Sequence, residues 1–161
     1  MVNYVAESRD RAGMANGRHK TGLEEGPTGF ESGAPLDTYE AIYRLVLTAY
    51  GYCCAITGTQ YEPAVGTLHP VLEVVAIQPR EAGGQLQINN YLPLETAAAR
   101  AFRAGQVLID DDYRIIADLS VMDTALAARL RPDGYLLVPA EPLFRPSRAM
   151  LAYHRQHLLG R

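Results

Sequence analysis

The run Val71, Leu72, Val74, Val75 and Ile77 is almost continuously apolar and mostly β-branched, and it stops at Pro79 and the Gly83-Gly84 pair. Side chains of that shape suit a covered, pleated surface, and proline followed by paired glycines ends a regular element. The run reads as a buried strand, so other parts of the chain must cover it. Residues 53–57 read as a second short strand. Asp37 can cap a helix with Glu40 at its third position, and Ile42, Leu45, Val46 and Ala49 make one apolar face that Gly51 ends. Leu92 to Phe102 is alanine-rich and reads as a helix closed at Gly105. Gln106–Ile109 and Tyr113–Ala117 flank Asp110, Asp111 and Asp112, which reads as a hairpin with a solvated acidic turn. Calcium loops space their ligands at alternate positions, so three adjacent carboxylates do not favour a metal site. A short helix over Val121–Leu130, a strand over Tyr135–Val138 and a last helix after Pro146, with Ser147 as its cap, complete the pattern. The inner stripe of that last helix is Met150, Leu151, His154 and Leu158. The fold class implied is α+β.

The chain has 161 residues, of which 48% are hydrophobic and 20% charged, enough for one domain with a real core. Residues 1–36 differ from the rest. Gly13, Gly17, Gly22, Gly26, Gly29 and Gly33 punctuate them and apolar side chains are sparse, so they cannot bury enough surface to offset their ordering entropy. The organisation expected is a flexible arm over 1–36 and a domain over 37–161. A net charge of -3 is a poor footprint for an avid DNA binder, although local basic patches remain open. The two cysteines, Cys53 and Cys54, are adjacent; they are poorly placed for a disulfide and too few for a zinc ribbon, so they read as thiols in a reducing compartment. No signal peptide is legible, and no stretch approaches the ~20 apolar residues of a membrane helix. A cytoplasmic protein that does not enter the membrane is expected.

The string "AYGYCCAITG" at residues 49–58 resembles the opening of bacterial HNH endonuclease domains, Y-G-x-x-C-A-x-T-G. That family continues with L-E-A-A-H-I-x-P, where residues 72–79 read "LEVVAIQP", then a Gly-Gly turn and N-G-L-x-L, where residues 90–94 read "NYLPL". A stretch like D-x-H-R-x-F-D-x-G follows, against "AAARAFRAG" at 97–105, and "GYLLVP" at 134–139 and "RPSRAMLAYHR" at 145–155 also match. The resemblance spans about residues 38–158. It implies a ββα core with flanking helices, a β-hairpin and a C-terminal helix.

The departures bear on the chemistry. The family's general base, the His of A-A-H-I, corresponds to Ala76. The Asp and His that hold its single metal ion correspond to Ala97 and Ala99, and its next Asp corresponds to Arg103. Of the familiar polar positions only Asn90 remains. Phosphodiester hydrolysis needs a deprotonated water and neutralised phosphate charge, and losing a positioned base alone costs ~10²–10⁴ in rate. A methyl group offers neither a proton acceptor nor a lone pair, and Arg103 repels a cation. The resemblance therefore implies the fold without the catalysis, with no catalytic residue, metal or cofactor expected.

Replacements for the lost groups are not evident. His69, seven residues before Ala76, would lie about 23 Å from it along an extended chain and reads as a loop residue beside Pro70. His154 reads as a packed, hydrogen-bonded histidine and Glu73 as a structural residue. Arg103, Arg145, Arg148 and Arg155 are the candidate contacts to nucleic acid phosphates, with a solvated, dipole-compensating helix face as the plainer reading of the last three. The function expected is binding, regulatory or scaffolding, with a protein partner or a second copy engaged through residues 1–36 and nucleic acid as a further candidate. The alternatives are a metal-dependent DNA endonuclease with a displaced site and a DNA-binding regulator using the former substrate groove.

Overall fold

A computed structural model describes residues 38–66 and 68–159, and the expectation of an arm over residues 1–36 lies outside them. The described residues form four α-helices and two small antiparallel sheets, an α+β fold. None of these helices is long and apolar enough to cross a membrane.

Helix α1 covers Tyr39–Ala49. Its cap is Thr38, whose Oγ1 accepts the Ala41 N–H at 3.3 Å, whereas Asp37 lies outside the described residues. Ile42, Tyr43, Val46 and Leu47 are its buried face. Strand β1 (Leu72–Ala76) pairs antiparallel with β2 (Tyr91–Glu95), in a register that sets Leu72 opposite Glu95 and Ala76 opposite Tyr91. Helix α2 (Thr96–Arg103) follows at once, so the three elements form a ββα unit. The hairpin expected around the acidic turn is present as β3 (Val107–Ile109) and β4 (Ile115–Ala117). Helix α3 is only Thr124–Ala127, capped by the Asp123 carboxylate, which accepts the Leu126 N–H at 3.0 Å. Helix α4 (Arg148–Leu159) starts after Pro146 as expected, with the Ser147 carbonyl accepting from Leu151 N.

Three local expectations are corrected. Residues 92–95 belong to β2 rather than to the following helix. Pro93 cannot sit inside a helix without a cost of about 3 kcal/mol, and Leu92 and Leu94 are fully buried in the strand. Residues 53–57 are not a strand. Only Cys53 bridges, to Gln60, and the backbone then turns through Gly58 at φ +73°. Its polar groups go instead to three neighbours: Ala55 N–H to the Pro93 carbonyl, Leu137 N–H to the Ala55 carbonyl and Arg131 N–H to the Ile56 carbonyl. Residues 135–138 likewise make one bridge, Tyr135 to Arg114, rather than a strand.

The core lies between the ββα unit, α1 and α4. Phe102, Ile56, Leu72, Ile77, Leu92 and Leu151 are among its fully buried side chains.

Candidate functional site

Strand β1 ends at Ala76, and the chain then makes a loop that returns at Asn90. The loop closes on the Asn90 side chain. Its Oδ1 accepts from the Gln78 N–H at 2.9 Å, and its Nδ2 donates to the carbonyls of Gln78 and Gln85, both at 3.0 Å. Asn90 is 1% exposed. Gly84 is required by the same closure, because a Cβ there would lie 1.9 Å from the Gln78 carbonyl oxygen. Asn90 is thus held as a brace for backbone, with its amide fully engaged.

Beside the end of β1, between α2 and α4, lies a cleft of about 200 Å³. Ala76, Phe102, Arg103, Tyr153, His154 and His157 are among its lining residues. The structure therefore brings two of the expected degenerate positions, Ala76 and Arg103, to one cavity. Ala97 and Ala99 do not line it: Ala97 is half-buried and Ala99 is fully buried in the core. Arg103 occupies the last turn of α2, where the helix dipole favours a cation. It donates to Glu73 Oε2 at 2.8 Å.

His154 is 7% exposed and lies flat on Phe102, with ring centroids 3.8 Å apart and planes at 6°. Its Nε2–H donates to the Phe102 carbonyl at 3.1 Å, and its Nδ1 is buried without a partner. Burial pushes its pKa down to about 4. His69, the other histidine weighed for a displaced site, closes the loop before β1: Nδ1 accepts from Val71 N at 3.1 Å and Leu72 N at 2.9 Å, and Nε2–H donates to the Glu62 carbonyl at 3.0 Å. Both nitrogens of His69 are engaged in structural hydrogen bonds, and one nitrogen of His154 is.

The C-terminal arginines are tied to their own chain. Arg145 donates to the carbonyls of Pro139 and Ala140. Arg148 donates to the Asp111 carbonyl and sits 5.6 Å over the Tyr113 ring. Arg155 reaches the Ile109 carbonyl at 2.6 Å and Asp111 Oδ1 at 2.7 Å, clamping the hairpin to α4.

Sequence reasoning missed Glu95, which is 3% exposed at the end of β2. Tyr61 donates to its Oε2 at 2.7 Å, Thr57 at 3.3 Å, and Arg129 pairs with Oε1 at 2.6 Å. Burial, together with the bond to Glu95, pushes the Tyr61 hydroxyl up to about 12. An expected helix over 92–102 hid this carboxylate, because it placed Glu95 on a helix surface.

No family model matches the chain, and no curated protein matches it. Among solved structures it is similar to a modification dependent TagI restriction endonuclease, with a TM-score of 0.57 and 24% identity. The fold is shared with a nuclease. The likeness covers 78% of this chain and 40% of that one, so the chain spans well under half of the restriction endonuclease.

The cleft lining carries the Arg103 guanidinium beside His154 and His157. Among the described residues no three His, Cys, Asp or Glu side chains are grouped to hold a metal.

Proposed function

We propose that this chain uses a nuclease-like fold for binding and does not hydrolyse phosphodiesters. The observation that carries the reading is the composition of the cleft at the end of β1: Ala76 and Arg103 stand where the resemblance to HNH endonucleases asks for a base and a carboxylate. A buried histidine of low basicity, hydrogen-bonded to its own chain, lies beside them. The resemblance itself and the shared restriction-endonuclease fold supply the nuclease ancestry; the loss of chemistry is our inference from these side chains.

The partner favoured is a protein or a second copy. Nucleic acid is a weaker candidate, because Arg145, Arg148 and Arg155 are tied to their own chain and the net charge is -3. Incubating the full chain with supercoiled plasmid and with single-stranded DNA, in magnesium and in manganese, is expected to give no cleavage above a metal-free control. Metal-dependent cleavage that disappears on substituting Asn90 or Arg103 would overturn the reading. Sedimentation of the full chain separates self-association from a monomer awaiting a partner. Retardation of DNA at low salt that weakens in Arg103→Gln and Arg148→Gln would move the assignment to a DNA-binding regulator.

A further inference from the structure

The cleft between α2 and α4 joins an apolar lining to one arginine. Ala76, Ile77, Phe102 and Leu158 give it an apolar lining. Two parallel ring pairs stand around it, Phe102 on His154 at 3.8 Å and Tyr153 on His157 at 5.5 Å. Its volume of about 200 Å³ is a little more than the ~150 Å³ that accepts benzene in an engineered apolar cavity. It falls short of the ~300 Å³ at which drug-sized pockets begin. One ring with a small substituent is the size that fits. The cation in the lining is Arg103, whose link to Glu73 joins side chains that are 55% and 37% exposed, so that pair is weak and exchangeable. Glu73 takes one terminal nitrogen, and a guanidinium has five N–H donors in a planar fork.

We propose that this cleft binds a small planar aromatic anion, a single ring carrying a carboxylate or phosphate, with the ring over Ala76 and the acid group on Arg103. Ala76, half-buried at the end of β1, adds only a methyl to the lining, so a larger side chain there is expected to take up part of the space. Arg103 supplies charge and planarity together, which selects a flat acid over a neutral ring or a small apolar-free anion. The ligand class is a free aromatic acid; a mononucleotide, whose ribose separates base from phosphate, exceeds the size that fits and serves as the comparison in the test. The inference rests on the reading above only in taking Ala76 and Arg103 as binding residues; the cleavage assay and the titration below report on the two separately.

The test is a titration of the isotope-labelled full chain with benzoate, benzamide, acetate and cytidine monophosphate, followed by amide chemical shifts. Benzoate is expected to give saturable shifts at Ala76, Phe102, Tyr153 and His157 with a dissociation constant of about 1 mM. Benzamide and acetate are expected to bind at least about tenfold more weakly. Ala76→Leu, on a half-buried site, is expected to abolish the shifts while leaving the rest of the spectrum in place. Arg103→Gln is expected to erase the preference for benzoate over benzamide. Tighter binding by cytidine monophosphate than by benzoate at the same residues overturns the single-ring assignment. Equal effects from benzoate and acetate, undiminished binding in Ala76→Leu, or no saturable shift from benzoate likewise overturns it.

Discussion

The side-chain amide of Asn90 clasps the backbone of Gln78 in both directions, accepting from its N–H at 2.9 Å and donating to its carbonyl at 3.0 Å. Asparagine is suited to this because one short side chain carries both an acceptor and two donors. The second donor reaches the Gln85 carbonyl, so a single residue fixes both limbs of the loop that follows β1. An asparagine at this place is explained by folding alone, without a substrate.

Replacing Asn90 with leucine should therefore act on stability. Three backbone groups lose their partner, in a site where Asn90 itself is 1% exposed. At roughly 1 kcal/mol per bond, and more where a buried group is left unpaired, the loss should be about 2–4 kcal/mol. Urea unfolding of the wild type and the variant reads this as a lower midpoint with an unchanged slope. A midpoint within error of wild type would show that the clasp is dispensable.

Gly84→Ala should be at least as damaging, by a different route. The added methyl meets the Gln78 carbonyl oxygen at 1.9 Å and the Pro79 carbonyl oxygen at 2.8 Å, both backbone atoms that cannot rotate away. The loop has to open to accept it, breaking the Asn90 bonds as it does so. A loss of about 3 kcal/mol or more is expected. The double variant with Asn90→Leu should cost less than the sum of the two single changes, because both act on one closure.

His154 should make stability depend on pH. Its folded pKa of about 4 lies below the ordinary histidine value because burial disfavours the charged ring. The unfolded chain therefore binds the proton first as pH falls, and stability declines from about pH 6.5 down to about pH 4, by up to about 3 kcal/mol. Carboxylates add their own acid sensitivity, so the comparison is with His154→Leu. The difference in unfolding free energy between pH 7.5 and pH 5 should be smaller in the variant. An identical difference in the two proteins would rule out a buried neutral histidine.

Arg129 and Arg44 both form ion pairs at 2.6 Å, yet they should behave differently on truncation. The Arg44 partner, Glu40, is exposed and the pair spans one helical turn, so Arg44→Ala should cost no more than about 0.5 kcal/mol. The Arg129 partner, Glu95, has a side chain only 4% exposed, and truncation leaves that carboxylate without its cation. Arg129→Ala should cost about 1–3 kcal/mol, and Glu95→Gln should recover part of the loss in the Arg129→Ala background. Thermal or chemical denaturation of the four proteins completes the cycle.

Much of the fold was legible because its strongest elements carry local signals. The β-branched run gave β1, the apolar spacing gave α1, and Leu151 and His154 are buried on α4 as the stripe required. The hairpin around the aspartates was equally plain. Strand β2 was obscured because its residues run without a break into an alanine-rich helix; Pro93 and the buried Leu92 and Leu94 were the available signal. Residues 53–57 misled because a strand-like composition there serves tertiary bonds to three separate segments, which no local pattern encodes. At the cleft, the residue types at Ala76 and Arg103 were readable, but the partner of Arg103 is Glu73, 30 positions earlier. The role of Asn90 was hidden for the same reason, since its bonds run to backbone 12 and 5 residues away.

The strip around Ala55 and Ile56 receives or donates bonds to Pro93 in one sheet, to Leu137 beside the other and to Arg131 after α3. Opening any of these regions on its own would expose backbone groups of a segment whose Cys54, Ala55 and Ile56 are wholly inaccessible to solvent. The two small sheets, each too short to persist alone in water, are thus spliced into one cooperative unit. Hydrogen exchange at the Ala55 amide should accordingly proceed through global unfolding rather than local breathing.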